Sequence, residues 1–326
     1  MSAILRRHAL LAPLAASLAR PALAQDPLAG WPPRPVRFVV PFPPGGGTDV
    51  LARLIGQRLS EIWGKPVVVE NRPGANGILG TDVVAKARPD GLTLGFVLAT
   101  HAINPLLYRS LPYDTDRDIA PVTLVAEYPY ILTVNTAVPA NSIPELIALA
   151  GSKPGEISYA SSGNGSGPHL AGEMLAQMAG IRLLHVPYRG AGPANNDLVA
   201  GQVSMMFNNL LAAAQLLRAG NLRVLAVGTP ERSAALPDVP ALAEFLPGFA
   251  ATGWYAVVAP AAVAPEIIGK IQSDVATILR DPEMRQRLAP DGAVPVGNTP
   301  AAFRDFIQQD RHRWGAVIRT ANVQLE

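Results

Sequence analysis

The feature that most constrains this chain is an alternation. Short apolar, β-branched runs take turns with amphipathic stretches from residue 36 to the C-terminus. The first unit shows the pattern. Val36-Arg37-Phe38-Val39-Val40 reads as a strand. A glycine- and proline-rich turn follows at 41–47. A helix then has apolar positions Val50, Leu51, Leu54, Ile55, Leu59 and Ile62, with Thr48 or Asp49 as cap and Gly64 as terminator. Val67-Val68-Val69 is the next strand, so the unit is β-α-β, and its crossover implies parallel strands. Further helices are expected over 76–87, 143–150, 167–179, 193–200, 210–219, 265–279, 282–288 and 300–321. Strands are expected over 92–99, 157–160, 183–186, 203–207, 222–227, 254–259 and 294–296, and 122–134 reads as one long strand or two. Such alternation predicts an α/β protein with largely parallel sheets, whose ligands bind beyond the carboxyl ends of the strands.

A length of 326 residues accommodates two domains, and 49% hydrophobic against 16% charged residues supports a sizeable core. The formal charge of +2 owes much to the first segment. Residues 1–24 carry three arginines and no acid, and without them 24 basic residues face 25 acidic ones. Nothing in that balance predicts a nucleic-acid surface. The absence of cysteine excludes disulfides, thiolate metal sites and a cysteine nucleophile.

The N-terminus has the grammar of a cleaved export sequence: basic Arg6, Arg7 and His8, an apolar run over 9–19, and Ala22-Leu23-Ala24 before polar Gln25-Asp26. Residues 1–24 are therefore expected to be a signal peptide, leaving a periplasmic protein. The Arg6-Arg7 pair leaves both general secretion and twin-arginine export open.

Three turns join a strand to a helix start and carry polar or glycine-rich sequence. In Pro41-Phe42-Pro43-Pro44-Gly45-Gly46-Gly47-Thr48-Asp49, the glycines leave backbone N–H groups unobstructed at the positive end of a helix. That favours an anion, although a tight turn with a capped helix reads equally well. The turn is neither a Walker P-loop nor a dinucleotide fingerprint. Ser161-Ser162-Gly163-Asn164-Gly165-Ser166-Gly167-Pro168-His169 offers many neutral donors, or is a flexible connector. Val186-Pro187-Tyr188-Arg189-Gly190 offers Arg189 as a planar partner for a carboxylate, or as a solvated surface arginine. His101, Asn104 and Asn208 each follow a strand and are candidates for the same cleft.

Enzyme signatures are not spelled out. Gly165-Ser166-Gly167 departs from the nucleophile elbow at Asn164 and Pro168, and no histidine pair has metal-ligand spacing. Paired carboxylates stay open, because they need not be close in sequence.

The turns also resemble, in order, those of the Bug family, the receptors of tripartite tricarboxylate transporters. The similarity continues through Val69-Glu70-Asn71-Arg72-Pro73-Gly74-Ala75, Ala87-Arg88-Pro89-Asp90-Gly91, Ile103-Asn104-Pro105, Asp197-Leu198 and Gly201-Gln202-Val203. Leu92 stands where a tyrosine is usual. The resemblance implies a type II periplasmic-binding-protein fold with two α/β lobes around a central cleft. Lobe 1 is expected at 34–133 plus 253–326, lobe 2 at 134–252, and the hinge near 133–135 and 250–253. It implies a receptor, not an enzyme, that closes on a small carboxylate through backbone amides and bridging waters. Such a receptor needs no cofactor or metal, is expected to be a monomer, and delivers its ligand to membrane permease subunits. Carried over by position, the ligand-binding residues are Phe42, Gly45, Gly46, Thr48, Asp49, Thr100, Asn104, Ser162, Gly163, Asn164, Gly165, Ser166, His169, Tyr188, Arg189, Gly190 and Asn208. Asn208 replaces a common aspartate and Asn76 a common glycine. Without an acid at 208, a carboxylate lacking an amino group is the expected ligand. A sensor feeding a signalling partner and a periplasmic hydrolase on the same lobes are the alternative readings.

Overall fold

The computed structural model describes residues 28–325, so the export sequence read over 1–24 lies outside the described residues. Strand β1 (Val36–Val40) is followed by helix α1 (Gly47–Trp63), β2 (Val67–Asn71), α2 (Ile78–Ala85) and β3 (Thr93–Leu98). β1 lies parallel to both β2 and β3, as the crossover requires. Gly64 closes α1 in the left-handed conformation, φ 61°. The cap at the other end differs from expectation. Gly46 is the N-cap, and neither Thr48 nor Asp49 caps the helix.

Helix α3 (Thr100–Leu107), read from sequence as loop, starts two residues after β3. Pro105 inside it removes one backbone donor and masks the helical pattern. The β-rich run is a single strand, β4 (Ile119–Asn135), that absorbs two register irregularities along its pairing with β9 (Thr252–Pro260).

Next come α4 (Ile143–Ser152), β5 (Ser158–Ser161), α5 (Gly167–Ala179), β6 (Leu184–Pro187), α6 (Ala191–Val199), β7 (Met205–Asn209), α7 (Leu210–Arg218) and β8 (Leu222–Val227). After β9, the chain finishes with α8 (Pro265–Arg280), α9 (Pro282–Leu288), β10 (Val294–Pro295) and α10 (Pro300–Thr320). Strand order is β2-β1-β3-β9-β4-β7-β5-β6, with β8 and β10 also paired to β4.

β4 changes partners along its length. Ile119 to Pro129 pair with β9, and Tyr130 to Val134 pair with β7. The return path meets the same point: Gly228 N–H donates to the Tyr130 carbonyl at 2.6 Å, and Ala251 N–H to the Gly228 carbonyl at 2.8 Å. On one side of this crossing stand the parallel strands β1, β2 and β3, and on the other the parallel β5, β6 and β7. Both groups have aromatic, fully buried cores. Phe38, Phe96 and Trp254 pack in the first, where Trp254 donates to Asp310 at 2.9 Å, and Tyr159 and Phe207 pack in the second. No described helix is long and apolar enough to cross a membrane.

Candidate functional site

The first turn is held by an ion-centred lock. Asp49, buried, accepts from the Gly45 N–H at 3.0 Å, from Arg53 Nε at 3.1 Å and from Asn71 Nδ2 at 2.9 Å. Asn71 also donates to the Phe42 carbonyl at 3.0 Å. Burial alone would raise the Asp49 carboxyl, but bonds from Arg53, Gly45 and Asn71 outweigh it and hold the group below the usual carboxylate range. Asp49 therefore faces its own loop. With no side chain capping α1, the first N–H groups of that helix lack intrahelical acceptors and stand at its positive end.

The second turn is locked by neutral groups. Ser161 Oγ accepts from Gly163 N–H at 3.2 Å and lies 2.7 Å from His185 Nε2. Gly165 N–H donates to His169 Nδ1 at 2.9 Å, and Ser166 Oγ caps α5 by accepting from His169 N–H at 3.4 Å. The His169 and His185 rings stack at 3.9 Å and 12°, with Tyr159 stacked on His185 at 4.9 Å. Burial, and then the neighbouring His185, pushes His169 down to about 3, and burial pushes His185 down to about 4. Both rings are neutral near pH 7, and the acceptor on His169 is already used within the loop.

Three tyrosines that the sequence reading did not single out join these turns. A β-carbon on Gly47, the first residue of α1, would lie 2.6 Å from Tyr255 Oη. A β-carbon on Gly167, the first residue of α5, would collide with Tyr130 Oη. Each helix start thus rests on a tyrosine hydroxyl, and glycine is what allows the approach. Tyr128 packs against both, 4.6 Å from Tyr255 and 5.6 Å from Tyr130 between ring centroids. Asn209 Nδ2 donates to Tyr255 Oη at 3.1 Å. Burial pushes the Tyr130 hydroxyl up to about 12 and those of Tyr128 and Tyr255 well above their ordinary value, so all three are neutral donors. Tyrosines inside strands carry the same signal as core residues, which is why sequence reasoning passed over them.

The other sequence-selected positions have contacts of their own. Gly163 approaches the Tyr188 carbonyl, so the second and third turns are adjacent. The Tyr188 hydroxyl donates to Asp197 at 2.7 Å and is thereby tied to α6. Arg189 is exposed and makes no ion pair with a described residue, and Gly190 starts α6 without a side-chain cap. Phe42 is half-buried, its ring edge against Gly77. Thr100 and Asn104 are buried in α3, and Asn104 Nδ2 donates to the Asn76 carbonyl at 3.1 Å. His101 is buried, and burial, then Arg311, brings it down to about 4. Asn208 is buried, donating to Thr133 Oγ1 at 2.8 Å and Asn195 Oδ1 at 3.0 Å, while its Oδ1 has no partner among the described residues.

Arg53 beside the first turn is bound to Asp49, Arg313, whose charge reaches Tyr130, is paired with Asp310, and Arg189 in the third turn is exposed. The described residues hold no cluster of histidine and carboxylate groups able to bind a metal. A cavity of about 790 Å³ lies between residues 229–235 and 285–295, floored by Glu127, Tyr128 and Pro129; it shares Tyr128 with the tyrosine floor, but none of the sequence-selected residues lines it.

Two α/β strand groups joined by crossing strands, with a helix start from each facing a shared floor, define a two-lobed periplasmic-binding-protein fold. Comparison narrows the class. Residues 51–323 match the tripartite tricarboxylate transporter family receptors. Protein BugT of Bordetella pertussis is 38% identical over 299 residues, covering 91% of this chain and 92% of BugT. A Rhodopseudomonas palustris protein solved with adipate is 38% identical with a TM-score of 0.86, over 90% of this chain and 99% of that one. MatC from the same organism, solved with bound malate, is 33% identical with a TM-score of 0.81, over 88% and 100%. The chain belongs to the Bug-type receptors of the tripartite tricarboxylate transporter family. These relatives are receptors and binding proteins rather than enzymes.

Proposed function

We propose that this receptor captures a small carboxylate between the starts of α1 and α5, in the periplasm, and hands it to membrane permease subunits. The observation that carries this is the pairing of two glycine-led helix starts over neutral tyrosine hydroxyls. Helix N–H groups and hydroxyls stabilise an anion without the desolvation cost of a buried ammonium or guanidinium. The adipate and malate found in two relatives fit the same chemistry.

Residues 34–133 plus 253–326 and residues 134–252 act as the two lobes of a monomer. They close about the crossing at 133–135 and 250–253, next to the partner exchange at Pro129 and Tyr130. Donors from both lobes then meet the ligand only in the closed state, which is what drives closure. Gly46 and Thr48 face it from the first lobe, and Ser162 and Ser166 from the second, while the Gly45 and Gly163 N–H groups are held by Asp49 and Ser161. Asp49 and His169 serve by fixing their loops. With an amide at Asn208, no carboxylate there awaits a ligand ammonium group, so the ligand is a carboxylate without an amino group.

Isothermal calorimetry with adipate, malate, aspartate and glutamate tests this. Binding of the non-amino acids and none of the amino acids is expected. Tight aspartate or glutamate binding, with the dicarboxylates inert, would refute it.

A further inference from the structure

Between β2 and α2, four consecutive residues have positive φ: Gly74 at 142°, Ala75 at 46°, Asn76 at 52° and Gly77 at 88°. For the glycines this costs little, but an L-residue such as alanine is strained in the left-handed region, where asparagine is one of the few tolerated side chains. The surroundings hold the turn in place. Gly77 N–H donates to the Gly74 carbonyl at 3.0 Å, and Asn104 clamps the Asn76 carbonyl. Strain maintained in this way points to a use for the conformation.

What the turn presents is one amide. Asn76 Nδ2 donates to the Asn164 carbonyl at 2.6 Å, reaching from the β1–β3 group to the turn after β5, with Tyr108 Oη 3.3 Å away. The receiving turn is shaped for the contact. A β-carbon on Gly165 would sit 3.4 Å from Asn76 Nδ2 and collide with Leu107 and Leu325, and one on Gly163 would sit 3.8 Å from Asn76 Oδ1. Both glycines have positive φ, 132° at Gly163 and 74° at Gly165, so side chains are unfavourable there on backbone grounds as well.

We propose that Asn76 is a closure latch, a positioning residue that joins the two lobes directly and raises ligand affinity by stabilising the closed form without touching the ligand. The proposal rests on the lobe-closure reading given above. A bond made only when the lobes meet shifts the open–closed equilibrium before any ligand arrives, which lifts the fraction of receptor competent to hold it. Glycine at position 76 would keep the turn and lose the latch. Asn76 therefore tunes the resting population of the receptor rather than the shape of its site.

The chain has no cysteine, so Ile62→Cys on α1 and Met178→Cys on α5, both at exposed positions, give two unique spin-label sites, one in each lobe. Pulsed electron–electron resonance on the ligand-free receptor is expected to show a short-distance, closed population. Asn76→Gly preserves the left-handed turn and should lose most of it. Asn76→Asp keeps the size of the side chain but sets a carboxylate oxygen against the Asn164 carbonyl, and should lose more. Affinity for adipate or malate should fall several-fold in both, with thermal melts showing that each is folded. A closed population that is the same in both variants as in the wild type overturns the latch. Wild-type distances that do not move on adding adipate or malate, although calorimetry shows either to bind, overturn the closure reading instead.

Discussion

The two glycine-led turns reach one result by opposite means. In the first, Asp49 ties Gly45, Arg53 and Asn71 together through a charge, and α1 is left uncapped. In the second, the stacked His169 and His185 tie Gly165 and Ser161 together through neutral nitrogens, and Ser166 caps α5. Each ends in a glycine resting on a tyrosine hydroxyl. The same glycine-on-tyrosine helix start is thus reached with either an ionic or a neutral lock. An ionic lock suits the first turn because Arg53 is half exposed, so its charge stays solvated. The second lock is buried, where a charged group would cost far more than a neutral ring.

Acid should separate the two most strongly. An unfolded histidine titrates near 6.5, while His169 and His185 in the folded protein are held down to about 3 and about 4. The unfolded state therefore binds more protons between those limits, so the stabilisation is complete above about pH 6.5 and drains away as pH falls toward 3. A tenfold difference in proton affinity between the folded and unfolded states is worth about 1.4 kcal/mol, so the acid loss exceeds that of a single hydrogen bond. The buried His101 adds to the same trend. Melting temperature followed from pH 7 to pH 4 should fall, and His185→Phe, which keeps the stack, should flatten the slope. An equal slope in the variant would remove the histidines from the explanation. The first turn should hold over this range, since its lock depends on a carboxylate kept below its usual range.

Next in size is the glycine contact. Gly167→Ala should cost about 1–3 kcal/mol by overpacking against Tyr130. Gly47→Ala against Tyr255 should cost less, since its clash is milder. Urea denaturation measures both, and Tyr130→Phe, which removes the hydroxyl but leaves Cζ 2.7 Å from the new β-carbon, should restore part of the Gly167→Ala loss. Failure of that rescue would break the claimed equivalence of the two helix starts.

The smallest effect sharpens the contrast between capped and uncapped helices. Ser166→Ala should lose about 1 kcal/mol of stability with its cap. Thr48→Ala caps nothing and should leave stability nearly unchanged, while weakening binding by about 1 kcal/mol where the hydroxyl meets the ligand. Unchanged affinity in both variants would move the site elsewhere.

Much of this architecture was legible in the sequence. β-branched runs and glycine stops located nearly every element, because strands and amphipathic helices write their period locally. The turns at 41–49 and 161–169 stood out for the same reason. What escaped notice depends on distance along the chain. Tyr128 and Tyr255 stack only because β4 and β9 pair across a long stretch of chain, and a tyrosine in a strand looks like any core aromatic. Asn76 was visible as a departure from glycine, but its partner, Asn164, contributes a backbone carbonyl that no side-chain pattern encodes. Helix α3 was hidden by Pro105 and by the short link after β3. Asp49 and His169 were expected at the ligand, and their hydrogen bonds run inward to the loops.

A crystal structure of the receptor with adipate or malate bound tests the central claim most directly. Carboxylate oxygens are expected within hydrogen-bond distance of the N–H groups at Gly47 and Thr48 and of donors beside Ser166, over the hydroxyls of Tyr130 and Tyr255. Density for the ligand in the cavity between residues 229–235 and 285–295, with the space over the tyrosines filled only by water, would contradict it.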